Sequence, residues 1–449
     1  MKKEEIVYLN LILFHAGLGF VIYNLPFLSI VYGYAIVILG AYYIIKKQNK
    51  NNEALIVAAY VVGSEVFLRM TGGNPLYEIS KYSVMVFLFI GMIYTGFSRN
   101  ATPYWVFLLL LVPGVILSTA VLNFDSNMRT TIAFGISGPV CLGVASIYNF
   151  RRKISLDAMT SILLSMGLPV VTTIVYLTLY TPDLREAITG TGSNFKTSGG
   201  FGPNQVATIL GLGMFIFFSR IVLESKTKFM LILNLIIALW ISYRGMLTFS
   251  RGGMLTGLFM IVLLLLFMYF KSNYKGRVKL NYLLILFVLA AVTSWTYTSF
   301  QTGGLIDKRY ANQDVSGRTR ESKFSGREVV AKDEWNTFLK NPIFGVGVAK
   351  AFEIRRAETG SETISHDEVT RMLAEHGMLG IIGLLILFFT PLVLYVENKF
   401  NMFLLCFVLF WLLTINHAAM RIAAPAFVYS LSLLNINLGE IPKKRMEQS

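Results

Sequence analysis

The chain has 449 residues, 55% of them hydrophobic and only 14% charged, against about 25% charged in an ordinary soluble domain; with a mean hydropathy of +0.60, a water-soluble globule is excluded. Its 34 Phe and 22 Tyr suit aromatic belts at a membrane interface, and its two cysteines exclude a disulfide scaffold or a Cys-rich metal site. The net charge of +15 is scattered between apolar spans rather than gathered on one domain, which argues against nucleic-acid binding.

A spanning helix needs about 20 mostly apolar residues. In chain order the candidates are 6–22, 26–45, 54–69, 81–97, 103–121, 131–149, 158–179, 204–222, 229–248, 252–270, 280–298, 368–395, 402–418 and 421–437. That is about fourteen, or twelve if weak pairs are half-spans. The runs are long and continuous, unlike the short alternating segments of a membrane barrel. The pattern therefore predicts an all-α, polytopic helical membrane protein of about 12–14 spans. Residues 1–298 and 368–449 supply the bundle, and 299–367 forms one large connection. Cys141 and Cys406 fall inside apolar runs and read as small buried hydrophobes.

Lysine and arginine fix an expected orientation. Lys2/Lys3, Lys46/Lys47/Lys50, Arg151/Arg152/Lys153, Lys226/Lys228, Lys271/Lys275/Arg277/Lys279 and Lys443/Lys444/Arg445 all fall on one side of the fourteen-span arrangement. The positive-inside rule puts that side, and both termini, in the cytoplasm. No A-x-A-like site follows the first apolar run, so it reads as a retained span and not a cleaved signal peptide.

Two long connections lie on the expected outer side. The first, 180–203, is rich in Gly, Ser and Thr; the second, 299–367, carries 11 Lys/Arg and 10 Asp/Glu from 301 to 367 and reads as a folded, solvated cap. Within it GREVVAKDEWNTFLKNP predicts an amphipathic helix with Val329, Val330, Trp335, Phe338 and Leu339 on one apolar face, stopped by Asn341-Pro342. Such a helix would lie on the membrane surface or across the mouth of the bundle. No internal repeat or low-complexity tract is visible.

Charged residues inside hydrocarbon are costly and are functional candidates by default. Glu65 and Arg69 are four residues apart, the spacing of a helical ion pair, and read as a structural staple. Arg244 and Arg251 flank a helix end in YRGMLTFSRGGML. Seven residues apart, they share a face if the helix continues, and Gly252-Gly253 would let a ligand approach the backbone. This suits a phosphate or diphosphate seat, although arginines at a helix end also simply snorkel to headgroups. Among the histidines, His15 and His376 read as packing, and His417 and Arg421 as possible lining of a cavity. His366 opens the helix that follows the long loop, with Thr370 one turn below it, and Glu368, Arg371 and Glu375 at bracing distances. The pattern is not H-E-x-x-H, and no D-x-D pair suits a metal–diphosphate site, so no metal and no cofactor are expected. SRGG is not the G-x-S-x-G of a serine nucleophile either. What remains is an imidazole near arginines, able to take a proton from a hydroxyl near neutral pH.

With these residues in view, the chain resembles the bacterial O-antigen ligase/polymerase family. The resemblance rests on GGFGPNQVATIL (199–210), TFSRGGML (248–255), GREVVAKDEWNTFLKNPIFGVGVA (326–349) and HDEVTRMLAEHGMLGIIGLL (366–385). It implies an enzyme of the inner (cytoplasmic) membrane, acting on its outer face in surface-polysaccharide assembly. An undecaprenyl-diphosphate-linked glycan would be transferred to a hydroxyl of lipid A–core or of a second lipid-linked glycan. In this reading His366 is the base; Arg251, helped by Arg244 or Arg327, holds the diphosphate; and Asn204, Thr370 and Arg421 line the cavity. Asp367 stands where the family usually has Asn, and Thr370 where it has an apolar residue. The helix around Trp335 would cap the cavity and exclude water.

A polysaccharide flippase or other secondary transporter is the alternative of a different class, since fourteen spans suit it equally. Transporters show repeated halves and ionisable groups near the midplane, whereas the candidates here gather at one face beside one loop. A sensor or scaffold with an outer cap is a third reading. Polymerase and ligase differ only in acceptor, and the residues leave both open.

Overall fold

The structure, a computed structural model, describes residues 2–123, 127–320, 327–360, 363, 365–399 and 401–437. The Lys443/Lys444/Arg445 cluster and Gly326, at the head of the expected amphipathic helix, lie outside the described residues.

The described chain is helical almost throughout. Helices α1 (Lys3–Asn24), α2 (Leu28–Lys47), α3 (Glu53–Met70), α4 (Ile79–Thr95), α5 (Thr102–Val121), α6 (Met128–Asn149) and α7 (Leu156–Tyr180) run back and forth. A short α8 (Leu184–Ala187) precedes α9 (Pro203–Leu223), α10 (Lys228–Met246), α11 (Arg251–Lys271) and α12 (Tyr274–Gln301). The long connection holds α13 (Leu305–Tyr310), α14 (Arg327–Lys340) and α15 (Lys350–Thr359), and the chain returns through α16 (Glu368–Glu397), α17 (Leu404–Thr414) and α18 (Ala423–Leu431). Two three-residue strands, β1 (Lys153–Ser155) and β2 (Asn435–Asn437), pair in parallel.

Local chemistry sets the boundaries. Ser155 accepts from the Ala158 amide at 3.1 Å to start α7, and Asn273 from Gly276 at 2.9 Å to start α12, each satisfying one orphan donor of a first turn. Pro203 opens α9, where its missing N–H costs nothing. Ten of the helices are long and apolar enough to cross a membrane. Helix α3 keeps the same course but carries Glu53, Glu65 and Arg69. The last pair of expected spans is shorter than the sequence suggested: α17 has 11 residues and α18 has 9. Between them residues 415–422 are non-helical, a backbone that hydrocarbon tolerates only where protein buries it or a cavity meets it.

The bundle has two distinct ends. At one, the Asn49 amide donates to Thr95 and Tyr148, Arg151 bonds Glu397, Thr227 bonds Glu5, and β1 meets β2. The described lysine and arginine clusters are at this end. At the other, here termed the loop end, lie 180–203, 247–250, the described residues of 302–367 and the 415–422 turn. Glycines draw the core helices together: a Cβ on Gly253 of α11 would fall 2.2 Å from the Ala207 carbonyl carbon of α9, and one on Gly257 2.3 Å from the Gly211 oxygen. Such small-residue contacts let helix backbones approach in a membrane.

Glu65 and Arg69 pair at 2.7 Å, as their spacing predicts. The second Glu65 oxygen accepts from the Ala423 amide at 2.6 Å, so the staple also caps the first turn of α18.

Candidate functional site

The site grows from the way α16 is entered. Asp367 is its N-cap and accepts from the Val369 amide at 2.9 Å, which gives the aspartate a local structural task. Nine residues in, Gly377 breaks the helix with φ 60° and ψ −139°. The kink is a docking clasp for residues 342–349: Val346 N donates to Ala374 O at 2.9 Å, Gly347 N to Glu375 O at 3.0 Å, and Met378 N to Pro342 O at 2.7 Å. Ala349 N completes it by donating to the Glu375 carboxylate at 2.9 Å. The first turns of α16 thus form a short arm held by the loop's own backbone.

His366 stands just before that arm and is fixed from two sides. Ala419 N donates to its carbonyl at 3.1 Å, Glu368 N donates to Ile415 O at 2.9 Å, and the Arg421 guanidinium donates to Ser365 O. From the other side Glu334 of α14 accepts from Ser365 Oγ at 3.1 Å and Thr370 Oγ1 at 2.6 Å, with Arg355 of α15 3.5 Å away. Burial raises the Glu334 carboxyl and these two hydroxyl bonds oppose it.

The imidazole faces a cavity of about 670 Å³ also lined by Asn204, Arg327, Asp333, Arg355 and Arg421. His366 Nδ1 is buried and has no hydrogen-bond partner among the described residues. Burial first, then the positive fields of Arg421, Arg327 and His417, push the ring down to about 3, so it is neutral at neutral pH. A second cavity of about 800 Å³ shares Arg355, Ser365 and Arg421 with the first and adds Tyr77, Phe134 and Arg371.

The sequence candidates divide. His366, Asn204, Arg327 and Arg421 all border the first cavity. Asn204 also accepts from Ser250 Oγ at 2.8 Å, tying α9 to the turn before α11. Arg251 begins α11 beside Arg309, to whose carbonyl it donates at 3.4 Å, and its field reaches Arg327. Arg244 departs from expectation. The helix does not continue from 244 to 251: α10 ends at Met246, and Phe249 turns left-handed with φ 56°. Arg244 is instead buried, donating to Leu177 O at 2.7 Å, and lines neither cavity. Thr370 likewise lines neither and braces Glu334. Gly252 and Gly253 serve packing, against the His417 ring and the Ala207 backbone, rather than ligand approach. His417 bonds Thr208 Oγ1 at 3.1 Å and Leu413 O at 2.9 Å and lines neither cavity. The expected apolar face of α14 is split: Val330 and Phe338 are buried while Val329, Trp335 and Leu339 are exposed. Val329, Val330 and Asp333 wall the cavity, and Trp335 does not line it.

Sequence reasoning missed Arg309, Arg320 and Glu334. Arg309 is buried and donates to Phe249 O at 2.8 Å and Ser193 Oγ at 3.4 Å; Arg320 donates to Thr191 Oγ1 at 2.6 Å. Burial, reinforced by Arg251, Arg320 and Arg327, pushes Arg309 down to about 10. This crowding of cations is of a kind that suits an anion, and no local motif announces it. Among the described residues no group of three or more His, Cys, Asp or Glu side chains is gathered as a metal site would be.

Residues 236–385 match the family model described as O-antigen ligase, a stretch that runs from α10 through the clasp and includes Arg251, Arg327 and His366. No curated protein matches the chain. The fold is that of a polytopic helical membrane protein, and over residues 236–385 the chain is similar to the O-antigen ligase family.

Proposed function

We propose that the protein is a glycosyltransferase of the outer face of the cytoplasmic membrane, transferring an undecaprenyl-diphosphate-linked glycan to an acceptor hydroxyl. The observation that carries this reading is the neutral His366, with an unpartnered ring nitrogen, on a cavity it shares with Arg327 and Arg421. The imidazole takes the acceptor's proton as the acceptor oxygen attacks the anomeric carbon. The bond from that carbon to the diphosphate breaks with its electrons on the leaving oxygen, and the anomeric configuration inverts. Guanidiniums aimed at this growing charge favour the transition state over the ground state. Arg251 and Arg327 take that part, joined by Arg309 and Arg421; Arg244, committed to Leu177, does not. Arginines in this role leave no step that calls for a metal. The buried faces of α14 keep water from the donor.

The acceptor is lipid A–core in a ligase, or a second lipid-linked glycan in a polymerase. The test is reconstitution with the lipid-linked glycan and each acceptor, with product length read on a gel. His366→Ala should reduce transfer by about 10²–10⁴-fold, the range of general-base catalysis, while donor binding persists. Unchanged transfer in that variant, or failed lipid export with intact transfer, would sink the enzyme in favour of a flippase.

A further inference from the structure

A cluster of charged side chains lies beneath the loop end and takes no part in the chemistry above. Glu65 and Arg69 of α3, Glu78 just before α4 and Lys81 within it have buried side chains of balancing charge. Arg69 pairs with Glu65 at 2.7 Å and approaches Glu78 to 3.9 Å, and Lys81 pairs with Glu78. Ser137 of α6 links the latter pair, accepting from Lys81 at 3.1 Å and donating to Glu78 at 3.0 Å. Apolar residues of similar volume often pack as stably as a buried ion pair, so a cluster of this kind asks for a further role.

One oxygen of the cluster reaches out of it. Glu65 Oε2 accepts at 2.6 Å from the amide of Ala423, the first residue of α18. Ile422 stands at the N-cap and has no side-chain oxygen to cap the helix, so a carboxylate of α3 supplies what the local sequence lacks. The same helix start ends the 415–422 turn that fixes the site: Ala419 N donates to His366 O at 3.1 Å, Glu368 N to Ile415 O at 2.9 Å, and Arg421 to Ser365 O. This turn does not hold its shape unaided. Ala419 is left-handed with φ 49°, a strained state for an L-residue that persists only where its surroundings impose it. Gly138, beside Ser137, lets α6 close beneath it, since a Cβ there would fall 2.6 Å from Met420 O. Glu65 therefore reaches His366 through one bond to Ala423, the turn itself and one bond from Ala419.

We infer that Glu65 is a positioning residue for the transfer reaction: it anchors the turn that sets His366 and Arg421 on their shared cavity, and Arg69, Glu78 and Lys81 hold its carboxylate in place. The inference rests on the function proposed above and adds to the site a residue that lines neither cavity. A helix cap would only stabilise α18, whereas a positioning residue also sets the field at the imidazole. The charged and titratable groups around that ring are Arg327 and Asp333 of α14, Arg355 of α15, Asp367, and Arg421 and His417 of the turn. Of these, Arg421 and His417 ride on what Glu65 anchors. Loosening the turn withdraws positive charge from the ring, and its affinity for a proton rises.

The experiment uses the full chain in detergent and adds to the transfer assay two readings that need no substrate. One is hydrogen exchange at the Ala419 and Met420 amides; the other is the pH dependence with which diethyl pyrocarbonate, a reagent for the neutral imidazole, acylates His366. Glu65→Met removes the anchor. Ala423→Pro, the second variant, removes the donor instead, at a helix position that suits proline. Either should speed the exchange about tenfold or more and lower kcat/KM per folded molecule about tenfold or more. Either should also move the acid limit of acylation upward, from below about pH 5 towards about 6.5. Glu65→Gln combined with Arg69→Gln keeps the acceptor while removing both charges, and should restore all three readings. Unchanged exchange in both single variants overturns the inference and leaves the glycosyltransferase reading standing. So does faster exchange with an unmoved acylation limit and kcat/KM, which would make Glu65 a helix cap and nothing more, and so does a double variant as impaired as Glu65→Met. A wild type that transfers no glycan to either acceptor overturns that reading and the positioning role with it.

Discussion

His366 illustrates how much a single side chain owes to its surroundings. A free imidazole titrates near 6.5, yet here burial and the nearby guanidiniums hold it down to about 3. A lowered value means that the neutral, proton-accepting form persists as pH falls. The acid limb of kcat/KM, which reports the free enzyme, should therefore lie below pH 5 and not near 6.5. Bound diphosphate offsets the guanidinium field, so the limb of kcat should sit at higher pH than that of kcat/KM. Arg421→Gln removes the largest of those fields and should move the kcat/KM limb upward; a wild-type limb at 6.5 would contradict this account. Arg244 offers the contrast. Its guanidinium serves Leu177 O and Thr197 O, so Arg244→Ala should lower stability by about 1–3 kcal/mol, the worth of buried hydrogen bonds from a charged donor, with kcat/KM per folded molecule retained. Arg327→Ala should do the reverse, sparing stability and weakening the donor. The cluster of Arg251, Arg309, Arg320 and Arg327 was only half legible in sequence because Arg251 and Arg327 sit in short motifs, whereas Arg309 and Arg320 gain meaning from partners such as Phe249 and Thr191, more than 50 residues away.

Helix α16 shows the same logic at the level of an element. Hydropathy marks it as one long span, but its first nine residues are an arm set off by Gly377. A Cβ there would come 2.6 Å from Gly345 N and from the carbonyl oxygens of Pro342 and Ile343, and the positive φ adds strain for any L-residue. Gly377→Ala should thus cost about 2–4 kcal/mol, summing overpacking and left-handed strain. It should also speed hydrogen exchange at the Val346 and Gly347 amides, which close the clasp. Unchanged exchange at those two amides would mean that the kink does not hold the loop. Helix α14 carries a related lesson. Its periodicity was readable, but which of its apolar residues faced protein and which faced outward was not. Glu334 is buried there because Ser365, Thr370 and Arg355 meet it, while the neighbouring Trp335 is exposed.

For the whole molecule, the two ends of the bundle are chemically distinct. The described lysine and arginine clusters crowd one end, while His366, the arginine cluster and the described residues of 302–367 occupy the other. If the basic clusters face the cytoplasm, as the positive-inside rule expects, Ser316 lies outside and Lys50 inside. Both native cysteines are buried, so a membrane-impermeant maleimide should label Ser316→Cys in intact cells and Lys50→Cys only after permeabilisation; the opposite pattern would invert the orientation.

Sequence by itself determined that the chain crosses a membrane many times as helices, since hydrocarbon requires long apolar runs with internally satisfied backbones and such runs are local. It also led to the expectation that the candidate residues gather at the end that carries the long loop, because charged residues are few inside the apolar runs. The half-length of α17 and α18, the release of Arg244 to packing and the recruitment of Arg309 were decided only by tertiary structure. Each depends on which distant backbone carbonyl, glycine or cation a residue meets, and periodicity along one helix carries no information about its neighbour.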